Sequence, residues 1–457
     1  VTHVILESLF EQTGLGGSRA SEVEVVGADP VYPTRLRIGE AAAAALAACG
    51  VVASDLWQLR TGRRQRVRIE VRAAAAALLS FAHLRGGSSD LRRLQGATTA
   101  LYAGRDGGWV HLHGGFAHLR DGLLELLGCE DDASHIARAV ARWDTQALED
   151  AIAERGLCGA RVRTAQAWLE HPQGGALSAC SLLEIRRIGA SAPEPPRPGD
   201  RPLAGVRVLD LTRVLAGPTC ARTLAEHGAD VLRVHAPHLP SIAPFVFDTG
   251  HGKLSTSLDL RDATAREKLR ELVREGDVFS EGYRAGSLAR RGFGPEELAS
   301  IRPGIVVVSI NCYGHTGPWR ERRGWEQLAQ TVTGMAAEQG GGAAPRLVPA
   351  AATDYTTGYL GALGAMLALA RRAREGGSYH VRVSLARTGM WLQELDRVDG
   401  APVGYDEALL GRYRQTTETP EGPIEHLGPV LELSETPPHF SRKSVPLGSH
   451  APRWPAR

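Results

Sequence analysis

The sequence predicts an α/β protein: a doubly wound, parallel, Rossmann-like sheet with a smaller α+β domain beside it. Three observations carry this. Between Val206 and Ile310, short runs rich in Val, Ile and Leu alternate with stretches of helical periodicity. That alternation is the pattern of a parallel sheet whose crossovers are helices. Between about Gly107 and Gly189 it gives way to a strand-like run followed by short amphipathic helices. A stretch from Ser191 to Pro202 with five prolines separates the two. Proline fixes the backbone and removes a donor, so this stretch reads as an extended linker.

Taken from the N-terminus, residues 1–106 hold a small-residue helix around Ala41 to Ala53. The basic turn Arg60-Thr-Gly-Arg-Arg-Gln-Arg-Val67 leads from it into a strand. Residues 107–190 form the small α+β domain. It has a strand at Trp109–His113, helices at about 119–127, 133–143 and 146–154, then Gly159 to Arg163 and a helix at 165–171. Residues 191–202 are the linker. Residues 203–400 open with the strand Val206–Leu211. Gly217-Pro218 then starts a helix, with proline where a missing N–H costs nothing. Strands at 230–234, 277–280 and 305–310 follow, with helices at about 263–275 and 295–301 between them. Residues 401–457 read as a C-terminal tail. Ligands on doubly wound sheets bind outside the carboxyl ends of strands. The loops after Leu211, Val234, Ser280 and Ile310 are therefore the places to look.

Composition narrows the function classes. The 457 residues carry a formal net charge of +2 and are 43% hydrophobic, which suits an ordinary globular chain and not a nucleic-acid polycation. The six cysteines show no regular spacing, so a reducing cytoplasm fits better than a disulfide framework. No signal peptide is read at the start, and the apolar stretch Ala41 to Ala53 is too short to span a bilayer. Abundant Arg, Ala and Gly point to a GC-rich bacterial genome. His111 and His113 form an HxH without a third ligand nearby, so no metal site is expected.

The chain repeats itself. Residues of a second copy match those of the first at a constant offset of 314: Asp354 with Glu40, Leu360 with Leu46, Gly364 with Gly50, Gly376 with Gly62, Val381 with Val67. Both copies read acid, small-residue helix, basic turn with glycine, strand. Asp354, in Ala-Ala-Thr-Asp-Tyr-Thr-Thr-Gly (351–358), stands at the mouth of its helix, where the dipole favours an anion. Two roles suit such an aspartate, a helix N-cap or a reactive carboxylate. Gly358, one turn later, is expected to let a ligand approach.

These residues, read together, resemble a known family. Val208-Leu-Asp-Leu-Thr-Arg-Val-Leu-Ala-Gly-Pro218, His227 to Val234, Gly252-Lys253, Glu281 to Gly286, Arg290 to Gly294, Ser309 to Pro318, Gly324 to Gln330, Asp354 to Gly358 and Gly376 to Ser384 are similar, in order, to the class III (CaiB/BaiF) CoA transferases. Arg60 to Val67, Gly159 to Thr164 and Trp168 to Pro172 resemble the later half of the same family, so the chain reads as a rearranged or partly duplicated member. The resemblance implies the interlocked architecture of these enzymes and a homodimer. It also implies a transfer of CoA from an acyl-CoA donor to a carboxylic-acid acceptor through a covalent aspartyl-CoA thioester. No permanently bound cofactor is implied, because coenzyme A is a substrate.

Carried over residue by residue, Asp354 is the expected nucleophile. Val214, Leu215 and Ala216 would line the adenine and pantetheine. Lys253, Arg290 and Arg323 would be cations for the phosphates, and Tyr283 would pack on the adenine. Glu40 is expected to be vestigial or structural, since a longer arm misplaces the attack. His235, Ala236 and Gly282 depart from the family pattern. Trp325 stands where a racemase branch has a proton-transferring histidine, which argues against racemisation. Two alternatives stay open: an acyl-CoA isomerase or dehydratase-like member, and a CoA-binding protein that has lost turnover.

Overall fold

The computed structural model describes residues 2–86, 96–419 and 422–456. Its main sheet has seven strands. From one edge they are Glu184–Gly189, Ser378–Ser384, Val306–Asn311, Val278–Glu281, Arg207–Leu211, Asp230–His235 and Lys253–Ser257. Neighbours run parallel except Glu184–Gly189, which is antiparallel to Ser378–Ser384. The order along the sheet reverses between Arg207–Leu211 and Val278–Glu281. At that point the crossovers leave toward opposite edges and open a crevice at the strand ends.

Both faces of the sheet are covered, which explains the unbroken apolar strands. Val208, Val306 and Val308 face one core, shared with the helices Ala216–Glu226 and Ala352–Glu375. Their neighbours Leu209 and Val307 face the other, under Ala263–Arg274 and Pro295–Ile301. A separate antiparallel sheet of Thr99–Ala103, Trp109–His113 and Gly159–Arg161 anchors the helices of the small domain.

Three parts depart from the sequence reading. Lys253–Ser257 and Glu184–Gly189 are strands that its pattern did not announce. The first is polar (Lys-Leu-Ser-Thr-Ser) and lies at an edge. The second begins next to the small domain yet pairs into the main sheet. The last 57 residues are more than a tail. They form the hairpin of Arg414–Thr419 with Gly422–Leu427, then a strand, Leu431–Leu433, beside Val67–Glu70. They finally run along the Lys253 edge, where the His450 amide donates to Ser255 O at 2.7 Å. An exposed sheet edge invites foreign strands, and this segment covers it. The proline-rich stretch is extended, and Glu194 holds Arg302 at 2.5 Å there.

The duplication is geometric as well as textual. Helices Ile38–Thr61 and Ala352–Glu375 are both 24 residues long and begin at the same offset. The residues ahead of them, Arg37 (φ −80°, ψ 57°) and Ala351 (φ −79°, ψ 56°), share one backbone conformation. In each copy a mid-helix glycine presses on the following strand. A Cβ on Gly50 would meet Val67 at 2.7 Å, and one on Gly364 would meet Val381 at 2.4 Å. In each copy an antiparallel strand then pairs an acid with the repeated arginine, Glu432 with Arg68 and Glu184 with Arg382. The two long helices pack on each other inside the one chain, where the Cys49 thiol points at Tyr359 O, 3.3 Å away.

Candidate active site

A cavity of about 450 Å³ opens at the reversal point of the sheet. Its floor is the loop that follows Arg207–Leu211, residues 212–217, with the strand ends at Val234 and Ile310. One wall comes from residues 282–291, and Phe116, His118, Leu119 and Cys158 of the small domain close the other side. The N-terminal part of the chain therefore completes a site built on the C-terminal part. The clasp is aromatic. Trp325 stacks on His113, with ring centroids 4.2 Å apart, and meets the edge of Phe116 at 5.1 Å. The Arg213 guanidinium lies 5.4 Å from the centre of the Phe116 ring.

Asp354 lines this cavity and is 6% exposed. It is not the cap of its helix. Ala351 holds the cap position, so Asp354 is the third helical residue, in the first turn. Three helices start around it: Ala216–Glu226, Glu326–Thr333 and Ala352–Glu375. Burial pushes its carboxyl well above the usual range, and the neighbouring carboxyl of Glu326 adds to this. The Ala216 amide bonds to the Asp354 carboxylate and pulls the other way. Helix starts favour an anion, but removal from water here outweighs them.

Glu326 belongs to the site and was not singled out from sequence. It is 5% exposed, and its Oε1 accepts from Gln330 Nε2 at 2.7 Å and Thr353 Oγ1 at 3.1 Å. Burial raises it to about 7. A carboxylate one residue after an aromatic at a helix start could have flagged it. The result is a buried carboxyl pair in a cavity wall, an arrangement that raises proton affinity where chemistry needs it.

The expected ligand residues divide. Val214, Leu215, Ala216, Tyr283 and Arg323 all line the cavity. Val214 has φ 67° and is the one non-glycine residue with positive φ among those described. A β-branched side chain resists that conformation, so the loop is held under strain at the cavity floor. Lys253 is not at the cavity. It is fully enclosed, with Nζ 2.7 Å from Asp210 Oδ2 and 2.7 Å from Pro218 O. Its charge is already used inside the sheet, and desolvation lowers it to about 8. Arg290 is exposed beside the cavity, while Arg291 and Arg284 line it. Gly358 faces the neighbouring helix and not a ligand. A Cβ there would meet Ala216 O at 2.6 Å. His235, Ala236 and Gly282 line the cavity, with His235 held by Ser257 Oγ at 2.9 Å.

Glu40 sits at the matching place in the other copy, but it faces no such space. It is wholly buried, and Arg37 Nη1 lies 2.6 Å from Oε2 while Thr2 Oγ1 lies 2.8 Å from Oε1. Its two carboxyl oxygens are thus both engaged inside the protein. His111 and His113 are also spent separately. His111 Nδ1 meets Thr331 Oγ1 at 3.0 Å, and His113 stacks on Trp325.

Residues 203–408 match CoA-transferase family III. An acyl-CoA transferase of Gibberella moniliformis is 36% identical over 322 residues, 64% of this chain and 56% of that protein. The succinyl-CoA–L-malate CoA-transferase beta subunit of Chloroflexus aurantiacus is 34% identical over 198 residues, 40% of this chain and 49% of that protein. A crystal structure of a CaiB/BaiF family protein from Brucella suis superposes with a TM-score of 0.39 at 29% identity, covering 49% of this chain and 65% of that one. The chain spans about half the length of the curated relatives it matches.

Proposed function

We propose, from the match of residues 203–408 to CoA-transferase family III, that this chain transfers CoA between carboxylic acids with Asp354 as the nucleophile. The observation that carries the reading is the buried Asp354 carboxyl in the wall of a cavity at the sheet's reversal point. Coenzyme A enters as a substrate, and no permanently bound cofactor is part of the reading.

The ionised Asp354 attacks the thioester carbonyl of an acyl-CoA. The C–S bond breaks, leaving a mixed anhydride and the CoA thiolate. The thiolate attacks the aspartyl carbonyl of the anhydride, which frees the donor acid and leaves an aspartyl-CoA thioester. An acceptor carboxylate repeats the two steps in reverse order and departs as the new acyl-CoA, returning Asp354. Covalent relay splits one difficult exchange into easier ones. The anhydride survives only where water is scarce, and 6% exposure of Asp354 suits this. The Ala216 amide, at the start of its helix, is placed to stabilise charge on the aspartyl oxygens. Arg284, Arg291 and Arg323 at the rim supply cations for phosphates, and Val214, Leu215 and Tyr283 offer surface to the adenine and pantetheine. Six free thiols accord with a reducing compartment.

The test is Asp354→Asn against Glu40→Gln. Loss of exchange in the first, with exchange kept in the second, is the expected result. A hydroxylamine-sensitive CoA adduct mapping to Asp354 would trap the thioester, and full activity of Asp354→Asn would end the proposal. One observation favours a second reading. The Asp354–Glu326 pair binds a proton unusually tightly, which would serve isomerisation of an acyl-CoA by proton transfer. Label moving from CoA donor to an added acid removes that reading.

A further inference from the structure

The segment that follows the first repeat reaches across the chain to the helix that carries Asp354. The Ala351 amide, at the cap of Ala352–Glu375, donates to Leu78 O at 3.2 Å. Four residues on, the Tyr355 hydroxyl accepts from the Phe81 amide at 3.2 Å. The Phe81 and Tyr355 rings are nearly parallel, with centroids 6.5 Å apart. Asp354 lies between these two ties. Successive side chains on a helix point about 100° apart. Asp354 therefore lines the cavity while Tyr355, wholly buried, leaves the same turn in another direction.

Tyr355 ends on a hub. Its hydroxyl donates to Asp248 Oδ2 at 3.1 Å, and Ser80 Oγ donates to Asp248 Oδ1 at 2.5 Å. The Arg222 guanidinium lies 3.0 Å from Asp248 Oδ1 and donates to Ser80 Oγ at 3.2 Å. Ser80, Arg222, Asp248 and Tyr355 are each 4% exposed or less, and none of them lines the cavity. Arg222 belongs to the helix Ala216–Glu226, whose first residues form the cavity floor. One carboxylate thus ties together the helix of the floor, the helix of Asp354 and the segment 78–81.

We infer that Ser80, Asp248 and Tyr355 are positioning residues, through which segment 78–81 sets the place of the turn that presents Asp354. This role rests on Asp354 being the nucleophile. An attacking carboxylate must come within about 3–3.5 Å of the carbonyl and in line with it, and an error of about 1 Å costs about 100-fold in rate. Ties at Ala351 and Tyr355, one turn apart, resist both sliding and rotation of that turn. Asp248 is a firm anchor, because a buried carboxylate that loses a donor has no water to replace it. The part of the chain that holds Glu40, which faces no cavity itself, thereby takes part in the chemistry of the other copy.

Tyr355→Phe and Ser80→Ala each remove one hydroxyl, and the first keeps the ring. In the intact proteins, exchange is measured between butyryl-CoA and labelled butyrate and between succinyl-CoA and labelled succinate. Hydrogen exchange at residues 351–358 is followed by mass spectrometry. In both variants kcat is expected to fall at least about 10-fold, with KM for the acyl-CoA within about 2-fold of the parent. Amides of 351–358 are expected to exchange at least about 10-fold faster, while those of the strand 306–311 keep the parent rate. A parental kcat with only a lower melting temperature overturns the inference, and so does a raised KM with kcat unchanged. If the parent exchanges neither acid, the transferase reading fails on these donors and hydrogen exchange decides alone. Faster exchange confined to 351–358 then upholds the positioning role, and parental protection there in both variants overturns it.

Discussion

Replacing Lys253 with methionine separates two roles for this lysine. If it held a CoA phosphate, Lys253→Met would weaken CoA binding and leave stability alone. The structure places Nζ 2.7 Å from Asp210 Oδ2 in the sheet interior, with Asp210 itself wholly buried. Asp210 also accepts from the Thr212 amide at 3.0 Å, so it is fixed and cannot turn to solvent. Removing the ammonium strands a buried anion, a change that costs about 3–5 kcal/mol. With an unfolding entropy of about 2 cal/mol/K per residue over a cooperative unit of about 200 residues, the melting midpoint falls by about 7–12 °C. Lys253→Met/Asp210→Asn removes the stranded charge while keeping an acceptor for Thr212, and is expected to recover about 2 kcal/mol or more. Thermal and urea melts followed by circular dichroism read stability, and calorimetry reads CoA affinity. A Lys253→Met protein that melts within about 1 °C of the parent but binds CoA weakly would refute the placement.

Other outcomes are checked as directly. Only ionised Asp354 attacks, so kcat/KM is expected to rise with pH along an acid limb far above the ordinary carboxylate range. Glu326→Gln removes the like-charge neighbour and should move that limb to lower pH; a limb that stays put contradicts the coupling. Glu226 is buried and raised to about 7 from 4.5. Its folded state holds a proton that the unfolded chain has lost, so stability present below about pH 4.5 falls as pH rises through 7. Glu226→Gln should match the parent near pH 4.5 and exceed it at pH 8 by up to about 3 kcal/mol, and a difference independent of pH would show the shift to be absent. Since the duplicated helices already pair within one chain, light scattering is expected to give 48.9 kDa. A species of twice that mass would mean that the homodimer implied by the resemblance forms through another surface.

The fold was legible where burial is two-sided. Runs such as Ile305 to Val308 are apolar on both faces, and the constant offset of the repeat by itself implies two like helices. Lys253–Ser257 was not legible, because an edge strand under a covering segment has a polar sequence. Asp354 could be read from its helix start and its motif. Glu326 carried only a weak local signal, a carboxylate after Trp325 at a helix start, and its place beside Asp354 comes from two helix starts that meet only in the fold. Arg290 was read for a ligand contact that Arg284 and Arg291 are better placed to make. Arg290 and Arg291 lie in a 3₁₀ turn, where successive side chains diverge by about 120°, and sequence alone does not say which faces inward.

The glycine–valine contact that recurs in both copies has a practical consequence. Gly50 on Val67 and Gly364 on Val381 lock each helix to its strand at the same spacing. Segments 38–70 and 352–384 are therefore exchangeable cassettes with common steric joints. Grafting 352–384 in place of 38–70 would carry an aspartate to the Glu40 position without altering the joint. Whether that aspartate gains a cavity would then depend wholly on its surroundings, which makes the duplication a built-in control for what a carboxylate needs besides its own helix.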